Sequence, residues 1–422
     1  MKRFLSTSSG LSTKSFDVVI AGGGLVGASV ALGLATDKLA APLSVAIVDT
    51  SLPPAKEEVY DKPTLRTSTI SLKSRKWMQG LGAWKDRHAT AFGDMFVYDK
   101  NQGITFDAKQ DELEHLGYVV ENEILRNEMY KRLRELGGKE ITGATVTEID
   151  AGISEVDYIS DPKHASLVLQ DGKRLSAQLI VGAEGANSVT RRESEIGYWR
   201  HDYRQRAVVA NVKTRDHSFT AWQRFLGKSG PVAMLPIKGG SISNVVWSTT
   251  PAEAKALTAM SDGEFLKELN LAFEEDWDGR VPPLAVEVVG KRASFPLSVS
   301  HATEYVGKRL VLVGDAAHGV HPLAGQGVNL GFADAEELVR CLAVAASTGR
   351  AIGLDEALLL KYQGRRMPEN LFMTGVLHSI KSVYEWDDPA LESLRSFGVK
   401  MVDSMPLVKR AIVKYQTLGD LR

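Results

Sequence analysis

Short apolar runs that end in glycine or an acid alternate with longer stretches whose apolar positions recur every three or four residues. Phe16-Asp17-Val18-Val19-Ile20-Ala21 reads as a buried strand, and a helical run follows from Ala28 to about Leu39. Leu43 to Val48 is a second strand, closed by Asp49. Tyr118-Val119-Val120 predicts a short strand. From about Asn122 it leads into a helix with Leu125, Met129 and Leu133 on one face. Leu179-Ile180-Val181 and Leu310 to Val313 are two further buried strands, and the second feeds a long helix from Val328 to about Ala346. Between them Ala207–Val212, Val232–Leu235, Ser243–Ser248 and Val286–Val289 read as strands, with helix around Asp262–Glu275. This mixture predicts an α/β (α+β) protein whose first strands and helices belong to a Rossmann-type unit.

With 422 residues and 46.0 kDa, two domains, discontinuous in sequence, are expected. A net charge of −1 and a pI near 6.8 give no global reason to expect nucleic acid as a partner. The only cysteine, Cys341, cannot form an intramolecular disulfide and falls within the apolar periodicity of the last long helix, so it reads as packing. No run approaches the roughly 20 apolar residues of a membrane span. Residues 1–15 carry Lys2, Arg3 and Lys14, many Ser and Thr, and no acid. They read as a mitochondrial presequence remnant, with a plain N-terminal tail as the alternative. At the other end Ser404 is a candidate helix N-cap ahead of Pro406. Leu407, Val408, Ala411, Ile412 and Tyr415 would face one way and Lys409, Arg410 and Lys414 the other, as in a helix lying on an anionic membrane, docking on its own protein or meeting a partner.

Three glycine-punctuated turns carry the chemistry. Gly22, Gly24 and Gly27 fit G-x-G-x-x-G between a strand and a helix, and Asp49 follows Gly27 by 22 residues. That is close to the spacing of the acid that binds the adenosine ribose. The loop suits FAD, NAD and NADP alike. Glu184-Gly185 ends the strand at Val181, and Gly314-Asp315 ends the strand at Val313. Gly325-Gln326-Gly327, with Val328 and Asn329, opens the last long helix, where unpaired N–H groups and the helix dipole favour negative charge. No second G-x-G-x-x-G with a trailing acid occurs, so a single-FAD scaffold is expected. Arg66, entering a predicted helix, and Arg126 are candidate cofactor contacts. No triad and no metal-ligand spacing is found.

These turns, together with Ala221-Trp222-Gln223-Arg224-Phe225, Gly230-Pro231, Leu235-Pro236, Trp247-Ser248-Thr249 and Gly314-Asp315-Ala316-Ala317-His318 through Asn329, resemble the group A flavoprotein monooxygenases of p-hydroxybenzoate-hydroxylase fold. Within them the chain is most similar to the ubiquinone-biosynthesis hydroxylases, especially the mitochondrial enzymes acting at ring position five. Glu184-Gly185 departs from the family's usual Asp-Gly, keeping the charge but extending one methylene further.

The resemblance implies an FAD-binding domain from residues 16–75, 118–200 and 296–370. A mixed-sheet substrate domain would come from 76–117 and 201–295, and C-terminal helices from 371–422. It implies hydroxylation of a polyprenylated phenol with dioxygen. Reduced FAD would be held by the N–H groups of Gly325–Val328, Asp315 would bind the ribitol, and Pro322 would pack near the ring. Trp222, Phe225, Met234, Leu235 and Trp247 would line the substrate site, and His318 or His321 would be the candidate base. Electrons would come from a ferredoxin and its reductase or from NADPH, with Arg191, Arg192, Arg200, Arg204 and Arg206 as a possible docking patch. Contact with other ubiquinone-biosynthesis proteins and with the matrix side of the mitochondrial inner membrane is implied. Another FAD oxidoreductase and a non-catalytic FAD-binding subunit remain the alternatives.

Overall fold

The protein is described here by a computed structural model that covers residues 13–54, 62–99, 102–137, 143–161, 163–227, 230–274, 279–353, 356–384 and 397–418. Most of the proposed presequence therefore lies outside the described residues. The chain becomes regular at Lys14, two residues before the first predicted strand.

The first sheet is built from the near-continuous apolar runs, as strands buried on both faces must be. At its centre lie β1 (Lys14–Ala21), β2 (Ser44–Asp49), β8 (Thr145–Asp150), β11 (Arg174–Gly182) and β18 (Leu310–Leu312). They run parallel in the order β18-β11-β1-β2-β8. β17 (Val306–Gly307) caps one edge, while β9 (Ile153–Asp157) and β10 (Ala165–Leu169) add an antiparallel flap to β11. Helices α1 (Leu25–Thr36) and α3 (Asn122–Gly137) pack on this sheet, and α7 (Gly327–Ser347) packs on α1. Cys341 is buried among Leu338, Leu342 and their neighbours, as its periodicity predicts.

The second sheet runs β19-β16-β12-β15-β14-β13-β5-β6. Its strands are β5 (Asp94–Tyr98), β6 (Gly103–Asp107), β12 (Tyr198–Thr214), β13 (Thr220–Phe225), β14 (Pro231–Ile237), β15 (Ile242–Thr249), β16 (Ala285–Ala302) and β19 (His318–Gly319). All neighbours are antiparallel except β13 and β5. Helices α5 (Pro251–Ala259) and α6 (Asp262–Leu271), each opened by a capping box, cover its outer face. A small third sheet, β3 (Thr67–Ile70), β7 (Gly117–Glu121) and β4 (Ala89–Phe92), bridges the two, with α2 (Leu72–Gly80) after β3. Arg66 therefore precedes a strand. The helix it was expected to enter starts later, capped by Ser71, whose hydroxyl accepts from Ser74 N.

Past α4 (Val189–Arg192) and α7, the chain closes with α8 (Glu356–Tyr384), a helical stretch at 397–403, and α9 (Pro406–Leu418). Ser404 is not the N-cap of α9: its hydroxyl donates to the Met401 carbonyl and finishes the preceding turn. The face of α9 is also rotated from the sequence reading. Val413 is buried against Phe92, Leu116 and Ala221, whereas Val408 is exposed, and Lys409 is held by Asp403 at 2.9 Å. The side chains of Leu407 and Tyr415 lie outside the described residues.

Candidate functional site

The C-terminal end of the parallel sheet opens into a cavity of about 1340 Å³. Ligand sites of drug size occupy roughly 300–1,000 Å³, so this one has room for more than one molecule. It runs from the Gly22–Gly24 turn, past the Glu184 and Asp315 turns and the start of α7, to the inner face of the second sheet.

The first turn is shaped by close backbone approaches. Gly22 has φ +98°, and a Cβ there would stand 2.5 Å from the Ala183 carbonyl. A Cβ on Gly27 would meet the Gly22 carbonyl oxygen at 1.9 Å, while one on Gly24 would meet no protein atom within 4 Å. Gly24 thus offers bare backbone to the cavity, at a helix start with no side-chain cap and no acid in its first turn. Asp49 accepts from Gly23 N at 2.6 Å. Arg126 Nε donates to the Gly23 carbonyl at 2.6 Å and Nη2 to the Ser51 carbonyl at 2.7 Å, with Asp49 3.6 Å away. The Tyr130 hydroxyl donates to the same Gly23 carbonyl.

The second turn accommodates its unusual acid by folding it back. Glu184 accepts from Thr190 N at 2.9 Å and from the Ser188 and Thr190 hydroxyls at 2.7 Å each. The carboxylate caps α4, while Gly185 (φ +83°) lines the cavity. Behind it the buried Arg191 donates to the Ala186 and Ala316 carbonyls at 2.8 Å, tying the second turn to the third. Arg191 is thereby withdrawn from the expected basic patch, while Arg192, Arg200 and Arg204 stay exposed.

The third turn hangs on Asp334, an acid on the buried face of α7. Its carboxylate accepts from Gly314 N at 3.0 Å, His318 Nε2 at 2.5 Å, Arg366 Nε at 2.9 Å and Asn370 Nδ2 at 3.0 Å. His318 is thus behind the loop and does not line the cavity. Asp315 is exposed to the cavity, and desolvation by the protein around it raises its carboxyl above the ordinary range, partly countered by His318. Gly325 (φ +60°) closes against Thr69, and Gln326 ends the turn without side-chain capping, so the N–H groups at the start of α7 face the cavity. Asn329 points the other way, accepting from Ser71 N at 3.0 Å and donating to the Thr69 carbonyl at 2.8 Å, and so fixes α7 to β3. Pro322 and Val328 line the cavity, as does Arg66, whose guanidinium lies 5.3 Å from the centre of the Phe295 ring.

His321, like His318, does not line the cavity. It is 1% exposed, neither ring nitrogen has a partner among the described residues, and burial, with Lys381 adding to it, pushes its pKa down to about 4. A histidine neutral in the fold and basic when unfolded contributes stability that is present above about pH 6.5 and lost as pH falls toward 4. His321→Phe should therefore flatten the loss of thermal midpoint between pH 6.5 and 4, by up to about 3 kcal/mol at the acid end. Parallel midpoint curves for the two proteins would show that His321 does not carry this slope.

The apolar wall departs from the sequence reading by parity. Successive strand residues face opposite sides. Ala221, Gln223 and Phe225 of β13, Ala233 and Leu235 of β14, and Val246 and Ser248 of β15 face the cavity. Trp222, Met234 and Trp247 face the other way, into the core beneath α5 and α6, where Trp222 packs on Phe96 at 4.7 Å between ring centres. Of the five expected lining residues, Phe225 and Leu235 are in place. Residues that the sequence reading missed fill the rest: Met95, Val97, Ile104 and Phe106 of β5 and β6, and Val399, Val402, Ile412 and Val413 of the C-terminal helices. Alternation along β5 and β6 was the available signal for the first four. The only signal for Asp334 was an acid among the apolar positions of α7.

The residues fit a dinucleotide at one end: a bare-backbone glycine turn, an acid at the end of β2 and a helix start free of caps. Residues 15–370 match the FAD binding domain family. The chain is 32% identical to the zebrafish (Danio rerio) ubiquinone biosynthesis monooxygenase COQ6, mitochondrial, over 97% of this chain and 91% of the relative. The corresponding human protein is 31% identical over 96% and 94%. The 3-demethoxyubiquinol 3-hydroxylase of Escherichia coli K12 is 32% identical over 96% and 99%. Among solved structures, p-nitrophenol 4-monooxygenase PnpA of Pseudomonas putida superposes with a TM-score of 0.74 at 18% identity, covering 97% of this chain and all of that one. PqsL of Pseudomonas aeruginosa gives 0.72 at 22% over 92% of this chain and all of its own. The fold is that of the p-hydroxybenzoate-hydroxylase-like flavin monooxygenases, and the chain belongs to the FAD-binding-domain family of ubiquinone-biosynthesis monooxygenases.

Proposed function

We propose that this protein hydroxylates the ring of a polyprenylated phenol in ubiquinone biosynthesis, using FAD and dioxygen. The observation that carries this reading is the continuity of the cavity, which joins a dinucleotide turn to an apolar chamber suited to a hydrocarbon tail. Gly22, Gly24 and Gly27 would seat the pyrophosphate, Asp49 with Arg126 the ribose end, and Asp315 the ribitol. The N–H groups of Gly325–Val328 would face the flavin ring and stabilise negative charge on it, with Pro322 and Arg66 alongside. Bound FAD, once reduced, supplies the activation of dioxygen. The chain itself holds the phenol under the second sheet and excludes water. With His318 and His321 turned away from the cavity, neither is assigned as a base.

The zebrafish and human relatives are named as mitochondrial, and a matrix-side site on the inner membrane suits a lipid-soluble substrate. Among the described residues no helix is long and apolar enough to cross a membrane. Exposed Phe397, Met401, Met405 and Val408 lie near the cavity-lining Val399 and Val402, with basic Lys400 and Arg410 among them, as a peripheral contact requires. Electrons come from a ferredoxin and its reductase or from NADPH, and Arg192, Arg200 and Arg204 are exposed cations suited to an acidic protein donor. Other ubiquinone-biosynthesis proteins would share the same membrane face.

The test is oxygen uptake by the purified holoprotein with a prenylated phenol, supplied in turn with ferredoxin plus reductase and with NADPH. Hydroxylated product formed with one of the two donors is expected. Bound flavin that is reduced by either donor but yields no hydroxylated phenol would refute the proposal.

A further inference from the structure

Gln223 stands on β13 with its side chain turned into the cavity, 5% exposed. The cross-strand row to which it belongs reads Val97, Gln223, Ala233, Val246, and its three neighbours present only carbon. Neither end of its carboxamide bonds any described residue. Of the residues that the second sheet turns into the cavity, only Ser248 is also polar, and its hydroxyl likewise has no partner among the described residues.

A primary amide carries two donors and an acceptor. Once a ligand displaces water from the cavity, leaving such a group unpaired costs about 1–3 kcal/mol, and an apolar side chain of similar volume would avoid that cost. On a wall otherwise made of Val, Ala, Phe, Leu and Pro, the amide is satisfied only by something that enters the cavity. On the same face of β13, Ala221 packs with Val413 and Phe225 stacks on Tyr384, and the ring oxygens are the only polar atoms that a prenylated phenol brings to this wall.

We infer that the Gln223 carboxamide is the hydrogen-bond partner of an oxygen on the substrate ring and fixes the ring's orientation beneath the sheet. The inference rests on the function proposed above and adds the residue that reads the head group. A neutral amide is suited to the task. It accepts from a phenol O–H and, turned over, donates to the oxygen when negative charge grows there, whereas a carboxylate would repel that charge.

The experiment titrates wild-type holoprotein and Gln223→Met with 2-geranylphenol and with geranylbenzene, which lacks the hydroxyl, following the flavin absorption spectrum. Met keeps the volume and removes the amide. Wild type should prefer the phenol by roughly 10-fold, and the Met variant should prefer neither. The ligand-free Met variant should melt with wild type, because the amide bonds no described residue. In turnover the loss should appear as a raised KM and less hydroxylated product per dioxygen consumed. A Met variant that keeps the tenfold preference overturns this inference and leaves the functional proposal standing. So does one that melts well below wild type, since the amide would then be structural. A wild-type protein that responds to neither compound overturns the functional proposal, and the inference falls with it.

Discussion

Replacing Asp334 by alanine should destabilise the protein by about 3–5 kcal/mol and release FAD. The side chain is fully buried, and four donors converge on it from three parts of the chain: the Gly314 turn, His318 and, from α8, Arg366 with Asn370. Removing the carboxylate leaves the Arg366 guanidinium buried without its partner and frees the turn that presents Asp315 to the cavity. Asp334→Asn keeps the volume, removes the charge and turns one acceptor oxygen into a donor. Burial by itself would raise the Asp334 carboxyl, but His318 and Arg366 more than offset that and hold it well below the usual carboxylate range. A depressed folded pKa contributes stability that is present above about pH 4 and is lost as pH falls below it. The Asn variant should lack that acid slope while starting from a lower midpoint at pH 7. Thermal melting from pH 7 to 3, with flavin retention through gel filtration, measures both effects. An alanine variant that melts with wild type and keeps its flavin would show that the turn is held by other contacts.

Asp334 also marks the boundary of what the sequence discloses. The glycine turn, Asp49 and the strand–turn–helix at Gly314 are legible because nucleotide binding draws on residues close together in the chain, where spacing carries the geometry. The hub is not, because its partners Gly314, His318, Arg366 and Asn370 are joined only by the packing of α8 on α7. The second sheet fails differently. Runs such as Val232 to Leu235 are apolar on both faces, since one side meets the cavity and the other the core under α5 and α6. Such a run has no period-two signal from which to choose a face. Size then misleads: Trp222, Met234 and Trp247 were expected at the ligand, and the pleat gives those places to Gln223, Ala233, Val246 and Ser248. Glu184 is a milder case. Its extra methylene lets the carboxylate reach Thr190 and cap α4, so the departure from Asp is absorbed inside its own loop.

The two small substitutions Gly24→Ala and Gly27→Ala should separate folding from cofactor binding at the first turn. On Gly27 the new methyl would stand 1.9 Å from the Gly22 carbonyl oxygen and 3.2 Å from the Ala183 Cβ, both of them parts of the sheet end. Backbone has to move, and Gly22, already at φ +98° and itself pressed against Ala183, has little room to give. A loss of about 1–3 kcal/mol is expected from such overpacking, together with loss of FAD. On Gly24 the methyl meets no protein atom within 4 Å, and the residue is not at positive φ. The protein without FAD should therefore melt with wild type, or slightly above it through the loss of glycine's freedom in the unfolded chain. Yet that methyl projects into the cavity where the turn presents bare N–H groups, so the pyrophosphate could no longer approach them. FAD affinity should fall at least tenfold, about 1.4 kcal/mol, without a folding defect. Apoprotein melting combined with fluorescence titration of FAD reads the two effects separately. If Gly24→Ala binds FAD as tightly as wild type, the phosphates do not lie against this turn, and the assignment of the cavity's dinucleotide end fails.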